Sequence, residues 1–248
     1  MEPEEYGRMH RLERDHWWFR GKREAIASLL ERAGAPPPGP GDRVVDVGCG
    51  TGAVLERFGA GAVAVGIDDH VDALRFARQR SHAQLARSDA RALPFRSACV
   101  DRLFLLDVAE HVPEDAAVFA EIRRVLKPQG LAVVHVPAHP GLWSPHDEAM
   151  HHVRRYTRAA LETRIREAGL APVVLTYTFG ALLPPAVAVR AWKRRRARSP
   201  AQGERADFGV APGWMNRILT GWQRVEAAWL ARANLPAGLS LAAVVRPA

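Results

Sequence analysis

The chain has 248 residues and a net charge of +8 at neutral pH, with 48% hydrophobic and 25% charged residues. That composition is ordinary for a globular protein and excludes a disordered, collagen-like or low-complexity chain. Two cysteines, Cys49 and Cys99, cannot build a disulfide framework and fit a reducing compartment.

No apolar run reaches the ~18 residues that a spanning helix needs, and Glu2, Glu4 and Glu5 do not suit a signal peptide. A cytoplasmic protein is expected. After a polar N-terminal stretch, Ile26, Leu29 and Leu30 predict a short helix ending near Gly34. The run Pro36–Gly41 (PPPGPG) breaks any regular element and separates that helical piece from the rest of the chain. Strands and helices then alternate. Val44–Val47 is an apolar strand, and a glycine turn opens a helix through Val54, Leu55 and Phe58. Ala62–Ile67 is a second strand, followed by a helix around Ala73, Leu74 and Ala77. Leu85–Arg87 and Arg102–Leu106 are the third and fourth strands. A helix carrying Phe119, Ile122, Val125 and Leu126 ends before Pro128, and Leu131–Val136 is the fifth strand. Thr157 caps a helix through Leu161 and Ile165, and Val173–Tyr177 and Leu239–Val245 are two closing strands. This alternation predicts a parallel sheet with helices on both faces.

The glycine turn reads Asp46-Val47-Gly48-Cys49-Gly50-Thr51-Gly52. Glycines there permit unusual backbone angles and let a ligand approach the main chain. Asp68 closes the second strand and Asp89 the third, so three carboxylates stand at successive strand ends on the rim where open α/β sheets bind ligands. Gly48, Gly50 and Ala53 also satisfy a dinucleotide fingerprint. Asp46 argues for a cationic nucleoside instead, because a dinucleotide strand is normally apolar just before its turn.

Together these segments resemble the class I S-adenosylmethionine-dependent methyltransferases. Asp89-Ala90 with Leu93-Pro94-Phe95 looks like the family's adenine segment, and Asp107–Val112 (DVAEHV) looks like the segment after its fourth strand. Arg124–Gly130 (RVLKPQG) looks like its turn before the fifth strand, with Gln129 where a second glycine is usual. The resemblance implies an α/β, Rossmann-like, doubly wound seven-stranded sheet whose last strand is antiparallel and preceded by a helical insertion. It implies S-adenosylmethionine as cofactor. Asp46, Gly48, Gly50 and Gly52 would surround the methionine moiety, Asp68 the ribose, and Asp89 and Ala90 the adenine. Asp107 and His111 would lie near the sulfonium, and Asp69 joins the set beside the ribose acid. The aromatic run His16–Arg20 (HWWFR) resembles the N-terminal segment of a bacterial subset, where it would cover the cofactor, with Arg20 reaching its carboxylate.

A second cluster comes after the fifth strand: His139, Trp143, His146, Asp147, His151, His152, Arg154, Arg155 and Tyr156. Histidine suits general-base work near neutral pH, so His146, Asp147, His152 and Tyr156 are the catalytic candidates on the acceptor side. His146, Asp147 and His152 match no standard zinc spacing, and no metal is expected. A polar loop pinned by an Asp147–Arg155 pair is the competing structural reading.

Residues 179–248 hold 11 basic and 3 acidic residues, against 24 of each in residues 1–178. Phe179–Trp192 is apolar and runs into Lys193–Arg198, and Ser199–Ala211 is an expected loop. Trp214, Ile218, Trp222, Val225 and Trp229 then predict an amphipathic helix. Aromatic stripes at helical spacing are usually core, so a lid or homodimer face over the acceptor pocket is the favoured reading. Contact with an anionic membrane surface comes second and nucleic acid last. One domain is expected: an N-terminal helical lid over 1–41, a cofactor-binding core over 42–178, a basic, tryptophan-rich helical insertion over 179–238 and a final strand over 239–248. The expected activity is methyl transfer to a small-molecule acceptor, with oxygen the first acceptor atom to consider. A lipid- or polyprenyl-linked acceptor at a membrane surface is the alternative. From other classes, the alternatives are an NAD(P)-binding oxidoreductase and a non-catalytic adaptor.

Overall fold

The structure is a computed structural model that describes residues 3–196 and 212–248. Glu2, the expected loop Ser199–Ala211 and the side chains of the Lys193–Arg198 cluster lie outside the described residues.

Seven strands form one sheet in the order β3-β2-β1-β4-β5-β7-β6. They are β1 (Arg43–Val47), β2 (Val63–Asp68), β3 (Gln84–Arg87), β4 (Val100–Leu106), β5 (Leu126–Pro137), β6 (Leu170–Thr178) and β7 (Ser240–Pro247). The first five are parallel, and β7 runs antiparallel to both β5 and β6. The expected Rossmann-like sheet is thus observed. Strand order reverses between β1 and β4, which opens a crevice at their carboxyl ends.

Side-chain alternation sorts β1 between two layers. Val45 and Val47 pack with Phe119 and Ile122 of α5 (Asp115–Val125) and with Leu161 and Ile165 of α7 (Arg158–Glu167). Val44 turns to the other face, joining Phe104 and Val133, Ile26 and Leu29 of α2 (Trp17–Arg32), and Leu230 of α9 (Gly213–Leu230). Each such buried side chain contributes about 1.5–3 kcal/mol, so burial on both faces holds strands as short as these.

The structure departs from the sequence expectations in four places. The polar N-terminus forms a helix, α1 (Pro3–Leu12), pinned against α4 (Val71–Arg80) by tertiary contacts: Arg80 pairs with Glu13 at 2.5 Å and Tyr6 packs on His70. Strand β5 begins at Leu126 rather than Leu131, because Leu126 pairs with Val100 and the turn is absorbed as a bulge. A short helix, α6 (Pro145–Ala149), stands in the loop after β5, with Ser144 and Asp147 forming a capping box.

The fourth departure is the tryptophan stripe, which is not core. Trp214, Ile218, Trp222, Val225 and Trp229 are each 52–65% exposed, while Thr220, Gln223, Glu226, Ala227 and Leu230 face inward. Two polar side chains of α9 hold the helix in place. Glu226 accepts the Phe179 and Gly180 N–H groups at 2.5 and 2.8 Å. Asn216 accepts from Trp17 N–H at 2.8 Å and donates to the Asp15 carbonyl at 2.9 Å, tying α9 to the start of α2. Among the described residues no helix is long and apolar enough to cross a membrane.

Candidate active site

A cavity of about 1330 Å³ runs along the carboxyl ends of β1, β2, β4 and β5. At one end lies the glycine turn, whose Gly48 and Cys49 N–H groups donate to the Ile67 carbonyl at 2.7 and 2.9 Å. Gly48 has φ +72°, and a Cβ there would stand 2.3 Å from Val108. Gly50 also has positive φ and donates its N–H to Asp68 at 2.9 Å. Both line the cavity, whereas Gly52 does not. Its missing Cβ instead lets α3 (Ala53–Phe58) pack on α4, where a side chain would meet Ala77 Cα at 3.1 Å.

Asp46 is buried with Oδ2 lacking any hydrogen-bond partner. Burial, then the neighbouring Asp68 and Glu13 carboxylates, push it well above the usual carboxylate range. Asp68 accepts the N–H groups of Gly50 and His70, both at 2.9 Å, and burial raises it too. Asp69, Asp89 and Ala90 line the same wall. Asp89 is gripped by the Arg91 guanidinium at 2.6 Å, which holds it below its ordinary range.

Asp107 directly follows β4, with φ +56°. Burial alone would raise its carboxyl, but Lys22, which donates to Oδ2, and His135, whose Nδ1 donates to Oδ1 at 2.7 Å, outweigh burial and hold it well below the usual range. Lys22 lies on the aromatic N-terminal segment, where the sequence singled out Arg20. Trp17, Trp18 and Phe19 do line the cavity, and Trp18 stacks on Phe179 with centroids 4.0 Å apart. Arg20 is not among the lining residues; Lys22 and Arg23 are. Helical phase is the reason, since Lys22 comes one turn after Phe19 and sits over its ring at 5.7 Å.

The far end is walled by His146, Met150 and His152 on one side and by Pro185, Ala186 and Val189 of α8 (Leu183–Arg196) on the other. Asp147 is fully buried beneath it. Its Oδ2 accepts from the Ser144 N–H and hydroxyl, both at 2.9 Å, and its Oδ1 from His152 Nδ1 at 3.0 Å and Arg155 Nε at 2.7 Å. Burial opposes ionisation of Asp147, but the His152 and Arg155 contacts prevail and its pKa is lowered. Asp147 thus pairs with Arg155 and at the same time holds the His152 ring. His111 packs edge-on against His152 with centroids 4.7 Å apart, and burial, then that neighbour, push it down to about 4. Tyr156 does not reach the cavity. Its hydroxyl donates to Asp115 at 2.7 Å within the core, so it braces the segment rather than meeting a ligand. His139 is likewise occupied elsewhere, bonding the Gly238 carbonyl at 3.0 Å and stacking on Tyr177. Sequence reasoning did not single out Glu13 or Glu110, both buried here. Glu110 sits inside the DVAEHV motif, so only its burial was missing as a signal.

The donor set suits a cation. An unpartnered carboxylate beside a glycine turn favours an amine or sulfonium, and Asp46, Asp68 and Glu13 would repel a pyrophosphate. A family profile described as a methyltransferase domain matches residues 45–134, which span the turn and all three strand-end acids. Residues 45–134 thus carry a methyltransferase domain of the class I, S-adenosylmethionine-dependent type.

Relatives of this methyltransferase domain include 24-methylenesterol C-methyltransferase 2 of Oryza sativa subsp. japonica, 31% identical over 53% of this chain and 38% of that protein. Trans-aconitate 2-methyltransferase of Azoarcus sp. (strain BH72) is 31% identical over 57% of this chain and 55% of that protein. The chain thus spans about half or less of these curated relatives. Among solved structures, one chain of the complex between the Haloferax volcanii Trm112 methyltransferase activator and a methyltransferase superposes with a TM-score of 0.59 at 19% identity, covering 97% of this chain and 94% of that one. Geranyl diphosphate C-methyltransferase from Streptomyces coelicolor A3(2) superposes at 0.57 with 17% identity, over 92% and 79%. At such identities the likeness is one of fold.

Proposed function

We propose that this protein moves a methyl group from S-adenosylmethionine to an oxygen of a small-molecule acceptor. The observation that carries the reading is one continuous cavity joining the Gly48–Gly50 turn to His146 and His152. S-adenosylmethionine, when bound, supplies a methyl carbon already activated by its sulfonium. Asp46 receives the cationic amine, and Lys22, braced by Asp107, meets the carboxylate. Asp68 and Asp69 take the ribose side, Asp89 and Ala90 face the adenine, and His111 flanks the sulfonium end. Alignment of two bound partners is worth about 7 kcal/mol or more in such a displacement, so the chief task of these residues is positioning. The α1 and α2 cover keeps water out. His146 or His152 accepts the acceptor's proton, and Asp147 fixes the His152 ring with Nδ1 as donor.

Calorimetry against S-adenosylhomocysteine and against reduced nicotinamide dinucleotide tests the donor side. We expect binding of the first alone, and the reverse pattern would overturn the reading. On the acceptor side, His146→Ala or His152→Ala lowers turnover by about a hundredfold with S-adenosylhomocysteine affinity unchanged. Full turnover in both variants would remove histidine base catalysis.

A second reading, an acceptor presented at an anionic membrane surface, is favoured by the exposed α9 stripe. Five large apolar side chains face outward there, and Arg217, Arg224 and Arg232 are exposed on and just beyond the same helix. The apolar α8 wall suits a hydrocarbon portion of the acceptor. Basic and aromatic residues together are what an interfacial helix needs. The named relatives act on acceptors as different as a sterol and trans-aconitate, so their names do not choose between the readings. Flotation with anionic liposomes does. Salt-sensitive flotation lost in a Trp214→Ser, Trp222→Ser, Trp229→Ser variant supports the membrane reading, and an intact protein that stays in solution excludes it.

A further inference from the structure

We propose that Glu110, His111 and His152 hold a divalent transition-metal cation at the acceptor end of the cavity. One ligand atom from each lies within 4.8 Å of the other two, and all three residues line the cavity. Metal–ligand distances of about 2.0–2.2 Å put tetrahedral ligand atoms roughly 3.3–3.6 Å apart, so side-chain adjustments of up to about an ångström bring the set together.

The carboxylate is the strongest sign. Glu110 is fully buried and neither of its oxygens has a hydrogen-bond partner. A buried, unpaired carboxylate is costly unless a proton or a cation joins it. Lys22 and Arg155 act on it only through their charge, at longer range than a hydrogen bond. A dication between Glu110 and the two imidazoles would satisfy it directly.

His152 is prepared as a ligand and His111 stands beside it. His152 gives its Nδ1 hydrogen to Asp147 at 3.0 Å, which leaves the Nε2 lone pair for a metal. Asp147 is itself immobilised by Ser144 and Arg155. The His111 ring packs edge-on against that of His152, with centroids 4.7 Å apart. A ring nitrogen tied to a carboxylate or a backbone acceptor is the usual support of a metal-bound imidazole. Two imidazoles and one carboxylate select zinc, iron, cobalt or manganese over magnesium and calcium, which prefer all-oxygen shells. Three protein ligands also leave a position open to the cavity for water or an acceptor oxygen.

This set differs from the His146, Asp147 and His152 combination, whose spacing in the sequence matches no standard zinc set. Asp147 has no capacity left for a metal once His152, Arg155 and Ser144 are counted, whereas Glu110 has all of its own. With Nε2 of His152 on the cation, His146 is the histidine left to take a proton from the acceptor. That last assignment rests on methyl transfer to oxygen, but the cation site does not.

The test uses the full chain, stripped with chelator and titrated with Co²⁺ by visible absorption and with Zn²⁺ by calorimetry, without acceptor. We expect one cation per chain and a ligand-field band. Affinity should fall at least tenfold in Glu110→Gln and in His152→Ala, but not in His82→Ala, an exposed control. Absence of binding, or binding that survives both substitutions, overturns the proposal. If Glu110→Gln does not fold, X-ray absorption of the zinc-loaded wild type decides, since two imidazole nitrogens are required. Calorimetry with S-adenosylhomocysteine in the same samples reports on the donor site separately, so failure of one proposal is distinguishable from failure of the other.

Discussion

Asp46 shows how a buried carboxylate with an unpartnered oxygen can cost stability. Its folded pKa lies above its unfolded value because burial and two neighbouring carboxylates oppose its charge. Its contribution is therefore fully present below the unfolded pKa and is lost as pH rises through the folded one. Asp46→Asn should stabilise the ligand-free protein at pH 8 by about 1 kcal/mol or more, which is a few degrees in Tm for a chain of this size. The gain should shrink toward pH 4, while S-adenosylhomocysteine affinity collapses. Melting curves at both pH values, with calorimetry alongside, check this. A second residue-level prediction separates Lys22 from Arg20. Lys22→Ala leaves Asp107 without its ammonium partner and should weaken donor binding by roughly thirtyfold, about 2 kcal/mol. Arg20→Ala, outside the cavity lining, should change it by less than about threefold. Equal effects would mean that the helical phase of α2 is not what selects the residue.

At the scale of elements, the pairing of α2 with α9 does the most to shape the site. The two helices are almost two hundred residues apart in the chain, yet a Cβ on Gly21 would come within 2.7 Å of Gln223. Gly21→Val should therefore lower stability by about 2 kcal/mol through overpacking, visible as a drop in Tm. It should also loosen the aromatic cover and weaken donor binding. Unchanged melting would show that the seam is not closely packed. The inverted amphipathicity of α9 has the same origin. Its Asn216 and Glu226 are hydrogen-bonded in docking and its Gln223 packs on Gly21, which turns the tryptophans outward. Periodicity identified the helix and its stripe but could not say which stripe faces the protein, because that depends on what α2 offers in return. Helix α6 was within reach of sequence reasoning, since Ser144-Pro145-His146-Asp147 carries both a capping pair and a first-turn proline. Helix α1 was not, because its anchors are long-range: the Glu13–Arg80 pair and Tyr6 against His70.

For the whole molecule, α1 and α2 line the glycine-turn end of the cavity and α9 packs on α2, so ligand binding there should be felt far from the glycine turn. With S-adenosylhomocysteine at 100 times its Kd, stabilisation of about 2.7 kcal/mol is expected. Hydrogen exchange should slow in α1, the start of α2 and the 48–52 turn together. Protection confined to the turn would mean that the cover moves independently of the ligand. The sequence by itself determined the sheet and the acidic rim at its strand ends. Apolar runs of strand length, the glycine turn and the acids at strand ends are local signals, and alternation with helices leaves little freedom in how they assemble. Only the tertiary structure decided that Lys22 rather than Arg20 meets Asp107, that Tyr156 braces the core, and that Glu110 stands unpaired beside two imidazoles. Each of those outcomes depends on which groups long-range packing brings face to face and which it strips of water, and no spacing along the chain encodes that.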